Sequence, residues 1–171
     1  MTSTGDAAIE APRDLFRYHE WATLQLIDHC ATLDEDQLSA TAAGTRGSII
    51  DTFRHIVGAD QRYQRRFGVT VDPVVDEKGG ASLDALRSAV SRQAGVWLSI
   101  IDRLQDFDIT IPAQPENEWP VAPGSQDLLL VQAIHHGNDH RTHICTILGS
   151  AGLQVPDIDG WSYWAAERVP R

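Results

Sequence analysis

The stretch His136-Gly137-Asn138-Asp139-His140-Arg141-Thr142-His143 gathers three imidazoles within a segment that reads as helix. At about 100° per residue, His136 and His140 stand roughly 40° apart and one turn apart along the axis. His143 falls beside them, so the three share an arc of about 60°, while His135 points away to the side. Imidazoles at i and i+4 lie about 5–6 Å apart at Cβ and can hold one metal ion from a single helix. A third ligand must then come from another helix, and His55 is the best candidate. A solvated or hydrogen-bonded pair satisfies the same spacing without a metal. The core-facing side of the helix favours metal, because burying imidazoles without partners is costly.

Four long helices are expected to position these groups. The first runs from Pro12 to Leu33 on a stripe of Leu15, Tyr18, Ala22, Leu26 and Cys30, after a flexible start over residues 1–11. His19 and His29 sit roughly 80° off each other's face and read as ordinary surface or boundary residues. Asp34-Glu35-Asp36 ends this helix and leads into a short connection. Ser48 and Asp51 form a capping box for the second helix, which carries His55 and stops at Gly68. Asp51, one turn before His55, serves as cap or as an acceptor orienting that imidazole. Arg62, Arg65 and Arg66 form a basic cluster that compensates the helix dipole, the favoured reading, or binds an anion.

Ser82 caps a third helix, to Leu104, that offers no metal ligand; before it lies a loop from Val69 to Ala81. The longest irregular stretch, Gln105 to Gly124, holds Pro112, Pro115, Pro120 and Pro123. A connection of that length is often functional. Its Trp119, with Glu116 and Glu118, either overhangs a site or plugs the core. The histidine helix runs from a Ser125 cap and Gln126 to Leu148, and Trp161 to Arg168 forms a short closing helix. There Trp161, Tyr163 and Trp164 serve packing or a dimer contact.

Such a pattern predicts an all-α bundle of four helices with one long crossover at 105–124, in a single domain over residues 1–171. The imidazole-only ligand set suits one divalent ion rather than a di-iron centre. Three histidines with open positions follow the catalytic rather than the structural pattern. The net charge of −10 argues against nucleic acid or an anionic membrane as partner. No apolar run of membrane-spanning length occurs, and the polar N-terminal stretch lacks a signal-peptide layout. Cys30 and Cys145, too few for a disulfide scaffold, suggest a cytoplasmic setting.

The chain resembles the DinB-like (damage-inducible) four-helix bundle superfamily along nearly its whole length. The landmarks are His19-Glu20-Trp21-Ala22, His55-Ile56-Val57-Gly58-Ala59-Asp60, His136-x-x-x-His140-Arg141, and Asp157-Ile158-Asp159-Gly160-Trp161 followed by Tyr163. Their order and spacing carry the likeness more than any one of them. The resemblance implies an up-up-down-down bundle, frequent homodimers, and a nickel, zinc or other divalent ion on His55, His136 and His140. His143 takes a position where the family often has Gln, as a fourth ligand or an outer group. Relatives include mycothiol-dependent maleylpyruvate isomerases and bacillithiol S-transferases, which implies a small-molecule substrate and a low-molecular-weight thiol as cosubstrate. A divalent ion favours a thiol's ionised, nucleophilic form. The rival reading is a stress-associated metal-binding protein without turnover, with His143 closing the site. Metal-assisted hydrolysis ranks last, since no acidic residue accompanies the His pair as a general base.

Overall fold

The computed structural model describes residues 4–113 and 123–168, the side chains of residues 4–9 and 168 excepted. Among the described residues six α-helices form: α1 Thr4–Cys30, α2 Glu35–Leu38, α3 Ile49–Arg66, α4 Leu83–Asp102, α5 Gln126–Ser150 and α6 Gly160–Arg168. A 3₁₀ turn, Leu104–Asp106, follows α4. α1 begins at Thr4 rather than at Pro12. Ala7, Ala8 and Ala11 are strong helix formers and carry the helix through the proline, which forfeits one backbone bond. Asp34-Glu35-Asp36 starts a helix instead of ending one. Asp34 accepts from the Gln37 backbone N–H while the Gln37 side chain reaches back, and this capping box opens α2. Ser48 and Ser82 cap α3 and α4 as expected, whereas the Ser125 side chain makes no capping bond.

The four long helices pack as a bundle in which α1 and α3 each contact α4 and α5. One end of the core joins Leu26 and Ile27 of α1, Phe53 of α3, Leu86 of α4 and Ile147 of α5. The other joins Phe16, Phe67, Trp97, Ile101 and Leu130. α1 and α5 therefore run one way and α3 and α4 the other. In chain order this is up-down-down-up, not the expected up-up-down-down. Arg87–Asp28 and Arg13–Asp102 ion pairs towards opposite ends of α4 fix the same antiparallel register against α1.

Parallel neighbours in sequence need a connection that travels the length of the bundle. The crossover is therefore residues 67–82, not 105–124; the 103–125 connection joins two helix ends at the same end of the core. Side chains of α3 hold the crossover down. The Gln61 side chain donates to the Pro73 carbonyl at 3.1 Å and accepts from the Val75 N–H at 2.7 Å. Arg54 Nε donates to the Ala81 carbonyl at 3.1 Å. Trp119, Glu116 and Glu118 lie outside the described residues. On α6, Tyr163 packs against Trp21 and Tyr18, while Trp161 and Trp164 are exposed. No described helix is long and apolar enough to cross a membrane.

Candidate metal centre

Two opposed helices supply the histidines. On α3, Ile49, Phe53 and Ile56 go into the core and leave His55 at the edge of the buried face. On α5, one face carries Ala133, Gly137 and His140 inward, with His136 half-buried beside them. His55, His136 and His140 each bring a ring nitrogen to within 4.8 Å of the other two. Their ring centroids lie 4.7, 4.8 and 4.4 Å apart. The Nε2 atoms of His55 and His136 are 2.9 Å apart. The edge-on ring of Tyr63 covers His136 at 5.9 Å.

His55 Nδ1 lies 2.7 Å from Oε2 of Glu77, which the crossover brings alongside. The other oxygen of Glu77 pairs with Arg62. Burial, reinforced by the charges of Arg46 and Arg62, lowers the pKa of His55 from 6.5 to about 4 despite that carboxylate. A neutral ring still donates Nδ1–H to Glu77, so the contact fixes the tautomer rather than the charge. Burial, with the neighbouring imidazoles His140 and His55 and then Arg62, takes His136 to about 3. Burial, His55 and His143 take His140 to about 4. All three rings are neutral near pH 7, the form in which imidazole is a ligand.

These residues fit a divalent ion. Two imidazole nitrogens on one tetrahedral ion stand about 3.3 Å apart, given bonds of about 2.0–2.1 Å. The 2.9 Å between His55 and His136 is close to that value. With Nδ1–H committed to Glu77, His55 turns a lone pair toward His136, and His136 Nδ1 is buried without a partner. Three neutral imidazoles crowded with so few mutual hydrogen bonds are better satisfied by a cation than by each other.

His143 does not join this group. Its Nδ1 lies 3.2 Å from Nδ1 of His140, and it clusters with Asp139 and His140 instead. The Asp51 carboxylate accepts from the hydroxyl of Ser48, the cap of α3, and pairs with Arg54, so the acid beside His55 is Glu77. Sequence reasoning missed Glu77, because its approach depends on the path of the crossover. It also misread His19, which is buried and bonds Asp60 at 2.8 Å through Nε2. Arg141, one residue past a candidate ligand, is structural: fully buried, it donates to Thr23 Oγ1 at 2.9 Å and to the His19 carbonyl at 3.3 Å.

Comparison with known proteins places the chain. The model of the DinB family matches residues 1–169, and the chain belongs to that family. No curated protein matches it.

Proposed function

We propose that this member of the DinB family holds a divalent ion, nickel or zinc, on His55, His136 and His140, and that it is a low-molecular-weight-thiol-dependent transferase or isomerase. The observation that carries the metal reading is the convergence of three neutral imidazoles from α3 and α5. The thiol reading rests on the likeness to thiol-using members of the superfamily. When bound, the ion would supply a Lewis acid that favours the ionised form of a thiol. The chain's own residues do the rest. Neutral imidazoles leave the charge of the ion undiminished, so an anionic sulfur is attracted. Arg46 and Arg62, whose charges reach His55, favour the same sign of ligand. Glu77 and Tyr63 restrain two of the three rings. A homodimer acting on a small molecule is what the resemblance implies, and the low cysteine content favours a cytoplasmic setting.

The reading without turnover requires His143 as a fourth ligand. The grouping of His143 with Asp139 and His140, apart from His55 and His136, supports a three-ligand site with open positions instead. Hydrolysis gains a nearby acid in Glu77, but both of its oxygens are engaged by His55 and Arg62.

The test is elemental analysis of untagged protein beside His55→Ala and His136→Ala. One divalent ion per chain in the wild type and none in either variant is expected. Metal-loaded protein is then offered mycothiol and bacillithiol with a panel of electrophiles. An ion-free wild type, even after reconstitution, removes the metal reading. A loaded protein that conjugates nothing removes the thiol reading alone.

A further inference from the structure

The 67–82 crossover sets one side chain, Glu77, against the metal-site histidine of α3, and α3 is shaped to receive it. Gly58, one turn after His55, leaves a notch in which a Cβ would fall 2.6 Å from Glu77 Cγ, 2.8 Å from Oε1 and 2.9 Å from Cδ. Arg62, one turn further on, holds Oε1. His55, Gly58 and Arg62 therefore form one ridge of α3, at spacings of three and four residues, and Glu77 lies along it. On either side the crossover is stitched to α3 by Gln61 and Arg54.

We propose that Glu77 is the positioning residue of the metal centre: its carboxylate, seated over Gly58, fixes His55 as the Nδ1–H tautomer and so couples docking of the crossover to ion affinity. This rests on the three-His reading of the site. A carboxylate bound to Arg62 only accepts hydrogen bonds, so the proton of His55 is confined to Nδ1 and the Nε2 lone pair faces His136 and His140. Without Glu77 the ring is free to place its proton on Nε2, or to turn, and either removes one ligand. By linkage, an ion that needs this tautomer also favours the docked crossover.

Two substitutions remove the lock by different routes. Glu77→Gln keeps the size of the side chain, but an amide serves either tautomer of His55, as acceptor or as donor. Gly58→Ala leaves Glu77 in the sequence and expels its side chain from the notch. The neighbour that must yield is a flexible chain on a loop, and alanine is the better helix former. The experiment is Zn²⁺ titration against a chromophoric chelator, with ¹⁵N–¹H NMR of the metal-free His55 ring. Both variants are expected to bind Zn²⁺ roughly ten- to a hundredfold more weakly, and their His55 rings to show mixed tautomers. Gly58→Ala is expected to keep or raise the thermal midpoint, which a merely structural role for the contact would not allow. Unchanged affinity and tautomer in both variants, with a wild type that binds Zn²⁺, overturns the proposal and spares the three-His site. A wild type that binds no Zn²⁺ overturns both. Glu77→Gln carries the test should Gly58→Ala fail to fold.

Discussion

Arg141 brings a charge into the core, and the groups around it explain how the bundle tolerates that. Its guanidinium bonds Thr23 Oγ1, the His19 carbonyl and Asn138 Oδ1, and stacks near Tyr18. It also lies 3.3 Å from His19 Nδ1. Arginine only donates, so Nδ1 accepts and Nε2–H donates to Asp60. Charge and countercharge thus meet through a neutral ring that joins α1, α3 and α5. Burial pulls the pKa of Arg141 below its ordinary value, and Tyr18 and Asp60 push it back. Replacing Arg141 by Ala strands Asp60 and leaves Thr23 and Asn138 short of a donor. We expect a loss of about 3–5 kcal/mol in urea unfolding; a loss below about 1 kcal/mol would mean that the network is not the charge pair described. Residues of this kind separate what the sequence discloses from what it hides. His136 and His140 were legible because their pairing is local to one helix. His55 was legible as a histidine at the edge of the core-facing stripe of a second helix. Glu77 and the Asp60–His19 pair were not, since each depends on which helices are neighbours and in which direction they run.

Among the elements, the same two long helices that carry these groups show how closely α1 and α5 approach. Gly137 of α5 faces the His19 ring, and a Cβ there would fall 2.7 Å from Nδ1 and 3.0 Å from Arg141 Nη1. Unlike Glu77 over Gly58, this ring cannot retreat, because Asp60 and Arg141 hold it from both sides. Gly137→Ala is therefore expected to cost about 1–3 kcal/mol through overpacking, despite the gain in helix propensity. Gly95 of α4 provides the control: a Cβ there meets nothing within 4 Å. Gly95→Ala should add about 0.5–1 kcal/mol, or roughly 1–4 °C in thermal midpoint. Equal effects at the two glycines in calorimetry would contradict the packing described. Helix identity was readable from caps and periodicity: α3 and α4 start at the serines that cap them. Helix direction was not, because an amphipathic stripe is the same read up or down. The expected crossover was assigned to the longer loop, whereas the bundle routes it through 67–82, whose attachments come from polar side chains of α3.

At the scale of the whole molecule, the histidine cluster joins α3 to α5, so an ion held there would link occupancy to stability. In the unfolded chain each imidazole takes up a proton near pH 6.5; in the fold, His55 and His140 are held to about 4 and His136 to about 3. Between those values the unfolded chain binds more protons than the native one, so stability rises with pH. The contribution is complete above about pH 6.5 and is lost as pH falls through 4 to 3. Metal-free protein kept in chelator should therefore show a thermal midpoint that declines steadily across this window. His136→Phe, which removes the most depressed of the three groups, should flatten that decline; an unchanged slope would place the acid sensitivity elsewhere in the chain. Zinc adds a second dependence with the same sign. An ion bound only by the native state at a hundred times its Kd stabilises it by about 2.7 kcal/mol, and acid withdraws this by protonating the ligands. At neutral pH, excess Zn²⁺ should raise the midpoint of the wild type and leave His55→Ala unmoved. That comparison separates a site bridging two helices from weak binding to exposed carboxylates on a chain of net charge −10, because only the former depends on one imidazole of α3.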